Sequence, residues 1–191
     1  MGEIRFAAAA DAAALLGIYG QYIDTPITFE CALPSEEAFR RRVAEYGAAC
    51  PYLVWEEDGR ILGYAYAHRL GERAAYQWSA ELSIYLGRDS TGRGLGRRLY
   101  GALMELLRLQ GVRTVYGCVT LPNAGSEGLH AAMGFRLTGT WHRAGFKCGA
   151  WRDVGWFEKT IAPYAPSPAP VRPIGEVPAA AAAEILERYS R

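Results

Sequence analysis

In R88-D-S-T-G-R-G-L-G-R-R98, Gly92, Gly94 and Gly96 are interleaved with Arg93 and Leu95, and an amphipathic run begins directly behind them. Glycines let successive amides turn inward, and the start of the following helix adds partial positive charge. Arg88, Arg93, Arg97 and Arg98 crowd the same point, opposed locally by Asp89 alone. The combination suits a bound diphosphate; the bland alternative is a solvated basic helix start whose glycines serve only the turn. Two nucleotide motifs fail here. A P-loop requires Lys and then Ser or Thr where Arg93 and Gly94 stand. The dinucleotide pattern GxGxxG is replaced by GxGxG, and the preceding strand comes too late in the chain for that fold's opening unit.

The elements that must hold this turn are legible on both sides of it. In A75-Y-Q-W-S-A-E-L-S-I-Y-L86, apolar residues from Tyr76 to Leu86 alternate with Gln77, Ser79, Glu81, Ser83 and Tyr85, the period of a strand. On alternation alone Glu81 is simply a solvent-facing strand residue. IRFA predicts a first strand, and Asp11 and Ser35 are placed to cap two helices. YLVWEEDGRILGYAYAH predicts a hairpin turning at Asp58-Gly59. After the arginine-rich helix come a strand in VRTVYGCVT, a short helix in NAGSEGLHAAMG, and two closing strands in FRLTGTWHR and RDVGWFEKTI. Interleaved strands and helices with hairpins predict an α/β (α+β) class, a mixed and mostly antiparallel sheet covered by helices.

Composition bounds the partners. The chain has 191 residues, 50% of them hydrophobic, with a net charge of +1, enough for one domain and too balanced to argue for nucleic acid or an anionic membrane. No apolar stretch approaches the roughly 20 residues of a spanning helix, and the N-terminus has no basic lead with an apolar core. Cys31, Cys50, Cys118 and Cys148 lack CxxC spacing, and His68, His130 and His142 are equally scattered, so nothing asks for a metal. A cytoplasmic protein with reduced thiols is expected. Six prolines fall between Pro163 and Pro178. The expected organisation is therefore a domain over residues 1–162, an extended linker over 163–178, and a short helix over 179–191.

T91-G-R-G-L-G-R-R-L-Y resembles the acetyl-coenzyme A pyrophosphate loop of the GCN5-related N-acetyltransferases. R73-A-A-Y-Q-W-S-A-E-L-S-I-Y, L121-P-N-A-G-S-E-G-L-H and G145-F-K-C-G-A-W-R-D-V narrow the resemblance to the phosphinothricin acetyltransferase subfamily, over residues 3 to 161. Three positions depart from the subfamily pattern: Thr91 stands where Gln or Arg commonly opens the loop, Gly71 where an arginine is frequent, and Cys148 where a histidine is common. The resemblance implies a GNAT-type fold, a homodimer, acetyl-CoA as co-substrate without a metal, and a small amino-acid-like acceptor such as phosphinothricin, methionine sulfoximine or methionine sulfone. Another small amine as acceptor, or a non-catalytic acyl-CoA sensor, are the competing functions.

The resemblance also implies roles. An acceptor amine is mostly protonated near neutrality, so a base helps, and Glu81 is implied as that base, acting directly or through a water. His130 is implied as a proton donor to the departing thiolate or a cofactor contact; a structural helix histidine is the alternative. Cofactor contacts are implied for Ile84, Tyr85 and Leu86, whose backbone would pair with the pantetheine amides, and for Gly92, Arg93, Gly94, Leu95, Gly96 and Arg97. Asn123 and Ser126 join them, although Asn123 serves equally as a plain helix cap. Phe29, Glu30, Arg73 and Tyr76 are implied at the acceptor pocket, against packing for Phe29 and a surface salt bridge for Arg73.

Overall fold

The computed structural model describes residues 2–191. Its strands are β1 (Gly2–Phe6), β2 (Tyr52–Glu57), β3 (Arg60–Arg69), β4 (Ser79–Leu86), β5 (Thr114–Leu121), β6 (Arg136–Lys147) and β7 (Ala150–Thr160). Its helices are α1 (Ala12–Gly20), α2 (Glu36–Ala49), α3 (Leu95–Gln110), α4 (Ala124–Ala132) and α5 (Ala179–Ser190). The strands form one sheet in the order β1-β2-β3-β4-β5-β7-β6. Only β4 and β5 run parallel, as a crossover through α3 requires; the remaining pairings are antiparallel.

Side-chain alternation assigns each face its helices. Ala65 and Ala67 of β3 and Ala80 and Leu82 of β4 face α3, whose Leu99, Leu103, Leu106 and Leu107 are fully buried against them. Each such leucine contributes about 1.5–3 kcal/mol of burial. The opposite face presents Tyr64, Tyr66 and His68 of β3 with Ser83 and Tyr85 of β4, under α1 and α2. The β2–β3 turn is tight because Asp58 and Gly59 both take positive φ, 51° and 73°. Ser35 caps α2 through its Oγ, which accepts from the Ala38 amide at 3.2 Å. Asp11 does otherwise: its carboxylate takes the Ala8 amide and the Arg5 guanidinium, so it fastens the turn before α1 rather than capping α1.

Two further expectations change. The long strand begins at Ser79, not Ala75, because Ala74–Tyr76 closes a single 3-10 turn with the Tyr76 amide on the Arg73 carbonyl. The C-terminal segment is not a free linker with an appended helix. The Trp78 indole N–H donates to the Ala169 carbonyl (2.9 Å), and the buried Gln110 amide donates to the carbonyls of Ala49 and Arg172 (2.8 Å each). Val177, Ala182 and Ile185 are buried in the same core as α3, and the Tyr189 hydroxyl donates to Glu105 at 2.7 Å. Proline fixes an extended path without preventing its carbonyls and neighbouring side chains from docking, and composition alone cannot distinguish the two.

Candidate active site

β4 and β5 pair only from Ser79 to Leu82 and from Thr114 to Gly117. Beyond those four rungs the strands separate, leaving Ser83–Leu86 and Cys118–Thr120 as opposite walls of a cleft of about 670 Å³. The start of α3 and the start of α4 complete it. The cleft brings together Ile84, Tyr85, Leu86, Gly92, Gly94, Leu95, Gly96, Arg97, Asn123, Ser126 and His130 of the expected residues, and adds Tyr22, Ile27, Tyr100 and Cys118.

The phosphate-sized end is built by backbone. Gly92 and Gly94 hold φ of 75° and 81°, which L side chains rarely adopt, and Gly94 is the N-cap of α3. The first amides of α3 therefore open on the cleft without an intrahelical acceptor. Gly96 serves packing: a Cβ there would lie 3.3 Å from Leu129 of α4 and 3.6 Å from Ile84 of β4. The four arginines divide sharply. Arg93 leaves the cleft to pair with Glu57 at 2.7 Å, Arg88 donates to the Gln21 carbonyl at 2.6 Å, and Arg98 lies over the Trp55 ring, 5.6 Å from its centroid. Arg97 lines the cleft and makes no ion pair among the described residues.

Glu81 sits at the vertex where the strands part, in register with His68 on β3 and Tyr116 on β5. Its side chain is 20% exposed, and burial raises its carboxyl above the usual range, against a smaller lowering by His68. The Cys118 thiol on the next strand is pushed up to about 12 by burial and by the charge of Glu81, so it stays protonated and is a poor nucleophile.

His130 is 1% exposed, ringed by Tyr100, Phe135 and Phe157. Its Nδ1 lies 2.8 Å from the Ser126 carbonyl, which can only accept, so the ring donates there and its Nε2 carries the lone pair. Gly117 makes room for it, since a Cβ would meet Nε2. Burial lowers its pKa and keeps it neutral. Asn123 does cap α4, its Oδ1 accepting from the Ser126 amide at 3.2 Å.

The expected acceptor residues are spread around the rim. Phe29 packs its ring over Gly145, and Glu30 pairs with Arg42 at 2.7 Å. Arg73 is exposed, and Tyr76, 47% exposed, packs on Gly71; neither lines the cleft. Lys147, which had no role assigned from sequence, is buried and donates to the carbonyls of Thr28 (2.6 Å) and Glu30 (2.7 Å). It ties the loop before α2 to the β6–β7 hairpin. The G-F-K motif marked its position without revealing that the amine points at backbone.

Among the described residues no group of His, Cys, Asp and Glu could hold a metal ion, and no helix is long and apolar enough to cross a membrane. Residues 4–156 match the family described as acetyltransferase (GNAT) domain. The chain is 36% identical to a phosphinothricin N-acetyltransferase of Streptomyces viridochromogenes, over 92% of this chain and 96% of that one. It is 30% identical to an L-methionine sulfoximine/L-methionine sulfone acetyltransferase of Pseudomonas paraeruginosa, over 87% and 98%. A solved phosphinothricin acetyltransferase from Sinorhizobium meliloti, in complex with acetyl-CoA, superposes with a TM-score of 0.81 at 29% identity, covering 91% of this chain and 98% of that one. The chain belongs to the GNAT acetyltransferases, within the phosphinothricin acetyltransferase subfamily.

Proposed function

We propose that the protein transfers the acetyl group of acetyl-CoA to the amino group of a small amino-acid-like acceptor, of the phosphinothricin or methionine sulfoximine and sulfone class, by direct attack with Glu81 as general base. The observation that carries this reading is the split between β4 and β5, with an anion-binding helix start at one end and a buried carboxylate at the other. A diphosphate fits the free amides of α3 and the unpaired Arg97; a pantetheine arm fits the unpaired edge at Ser83–Leu86, where its amides would extend the sheet. The relatives' named substrates support the acceptor class.

Glu81 would take the amine's proton as nitrogen attacks the thioester carbonyl. A carboxyl raised by burial is a stronger base than an exposed one, which suits it to an amine. Cys118, held as a thiol, argues against an acyl-enzyme and for transfer in one step. His130, buried and neutral with Nδ1–H committed to Ser126, is placed to position α4 against the cleft rather than to donate a proton. The reading includes a homodimer that covers Trp141, Phe146 and Trp151 of the β6–β7 hairpin, each about 60% exposed. Tyr64 and Tyr66, which had looked like members of such a surface from sequence, instead face α1 and α2, Tyr64 being wholly buried.

Thiol release from acetyl-CoA, measured across a panel of amino acids, phosphinothricin, methionine sulfoximine and polyamines, tests the function. Amine-dependent release with an amino-acid-like acceptor is expected; acetyl-CoA binding without release under any amine would make the protein a sensor. Glu81→Gln should lower turnover by about a hundredfold to ten-thousandfold near pH 7 with little change in acetyl-CoA affinity. Part of the loss should return as pH rises past the amine's own pKa.

A further inference from the structure

The cross-strand neighbour of Glu81 is a histidine, with His68 Nε2 3.8 Å from Glu81 Oε1. His68 Nδ1 lies 3.0 Å from the Arg69 carbonyl oxygen, which can only accept. The neutral ring therefore carries its proton on Nδ1 and turns the Nε2 lone pair to the carboxylate. Neither atom has a proton to share, which accounts for a gap longer than the roughly 2.7–3.2 Å of an N–H···O bond. The pair is built to hold one proton and is one proton short. Tyr46 of α2 stacks on the imidazole at 5.2 Å with a 28° interplanar angle, fixing the ring's plane. The imidazole is the more open partner, 27% exposed against 20% for the carboxylate.

We propose that His68 is a proton-relay residue acting through Glu81, receiving on Nε2 the proton that Glu81 takes from the acceptor amine and releasing it to solvent. The proposal rests on Glu81 being the general base. The amine N–H bond breaks as an O–H bond forms on Glu81; that O–H breaks as N–H forms on His68, and the imidazolium gives the proton to water. The nitrogen lone pair makes the new C–N bond, and the C–S electrons leave with the thiolate, which is protonated from solvent. Without an outlet, a buried carboxyl raised by its surroundings keeps the proton and the next turnover waits.

The groups facing the pair are Tyr46 from α2, Tyr66 and Arg69 from His68's own strand, Tyr116 and Cys118 from β5, and Tyr100 from α3. Tyr66 and Cys118, each held up at about 12, stay neutral where imidazole titrates. The charge change at this end of the cleft between about pH 5 and 8 therefore belongs to Glu81 and His68.

The test compares wild type, His68→Gln, His68→Asn, His68→Ala, Glu81→Gln and the Glu81→Gln/His68→Gln double variant, using acetyl-CoA and the best acceptor of the amine panel. His68→Gln should lose about tenfold or more in kcat with KM for both substrates nearly unchanged, and its acidic limb should move. His68→Asn keeps a donor for the Arg69 carbonyl and should lose turnover equally, which separates relay from strand packing. Added imidazole should restore His68→Ala, and the double variant should be no slower than Glu81→Gln. Independently of any acceptor, the His68 imidazole followed by NMR should titrate at lower pH in Glu81→Gln, since removing a negative neighbour weakens imidazolium. An unchanged His68 titration, or wild-type kcat and pH profile in His68→Gln, overturns the relay. Full turnover in Glu81→Gln instead removes the base assignment on which it rests; loss in Glu81→Gln with none in His68→Gln removes the relay alone.

Discussion

Replacing Arg97 with alanine separates the arginine that the structure leaves facing the cleft from those it commits elsewhere. Arg97 lines the cleft beside the open amides of α3, while Arg93 is held by Glu57 at 2.7 Å and Arg98 by the Trp55 ring. A hydrogen bond between charged groups contributes about 1.5–3 kcal/mol. At about 1.4 kcal/mol per factor of ten, Arg97→Ala should raise the Kd and KM for acetyl-CoA roughly tenfold to a hundredfold. The contact is far from the reacting carbonyl and equal in ground and transition states, so kcat should hold. Because Arg97 is exposed, the gap should narrow in high salt. Arg93→Ala breaks only a surface pair worth about 0–1 kcal/mol and should bind acetyl-CoA within a few-fold of wild type. Calorimetric titration of both variants at two salt concentrations decides it. If Arg93→Ala loses as much affinity as Arg97→Ala, the division of the four arginines is wrong.

Gly94→Val should weaken acetyl-CoA binding steeply in a folded protein, because φ of 81° excludes a β-branched residue; normal calorimetric binding by this variant would refute the loop assignment. Ile185→Ala, in the C-terminal helix, should lower stability by about 2–5 kcal/mol while leaving kcat intact at low temperature. A melting temperature within about 2 °C of wild type would show that the helix is not part of the core. His130 titrates lower folded than unfolded, so the unfolded chain binds the extra proton first; stability should hold above the ordinary value of 6.5 and fall as pH drops below it. His130→Leu should flatten that slope in urea melts at pH 7 and pH 5.5. Light scattering giving a monomer mass at all concentrations would refute the dimer.

The parts of the site legible in sequence are those whose chemistry is local. The glycine-arginine turn needs only backbone conformation and a helix start, and Gly92, Gly94 and Asn123 do what such positions do in isolation. Alternation put Glu81 on the correct face of its strand, but not at the vertex, because the length over which β4 and β5 pair is a property of two segments far apart in the chain. His68 was passed over as one scattered histidine; the signal was available in the β3–β4 register, which pairs it with Glu81 once the hairpin is drawn. Tyr76 and Trp78 kept the strand period by coincidence while their backbone turned. Arg93 looked equivalent to Arg97 until Glu57, thirty-six residues earlier, was seen to claim it. Lys147 and the C-terminal segment failed similarly, since an amine aimed at carbonyls and a proline-rich path that docks leave no pattern in composition.

The point at which β4 and β5 rejoin also works as a length gauge. A guest entering from the turn at Gly87 can follow the strand edge only as far as Leu82, where pairing with Gly117 closes the way. From Leu86 to Leu82 is four residue steps of about 3.3 Å, or roughly 13 Å of extended travel. An acyl group carried on an arm of that reach is delivered beside Glu81; one on a shorter arm stops among Ile84 and Tyr85, anchored at its phosphates and out of reach of the base. The selection of donor is thus set by a distance along a strand, independently of any side chain that recognises the acyl group itself.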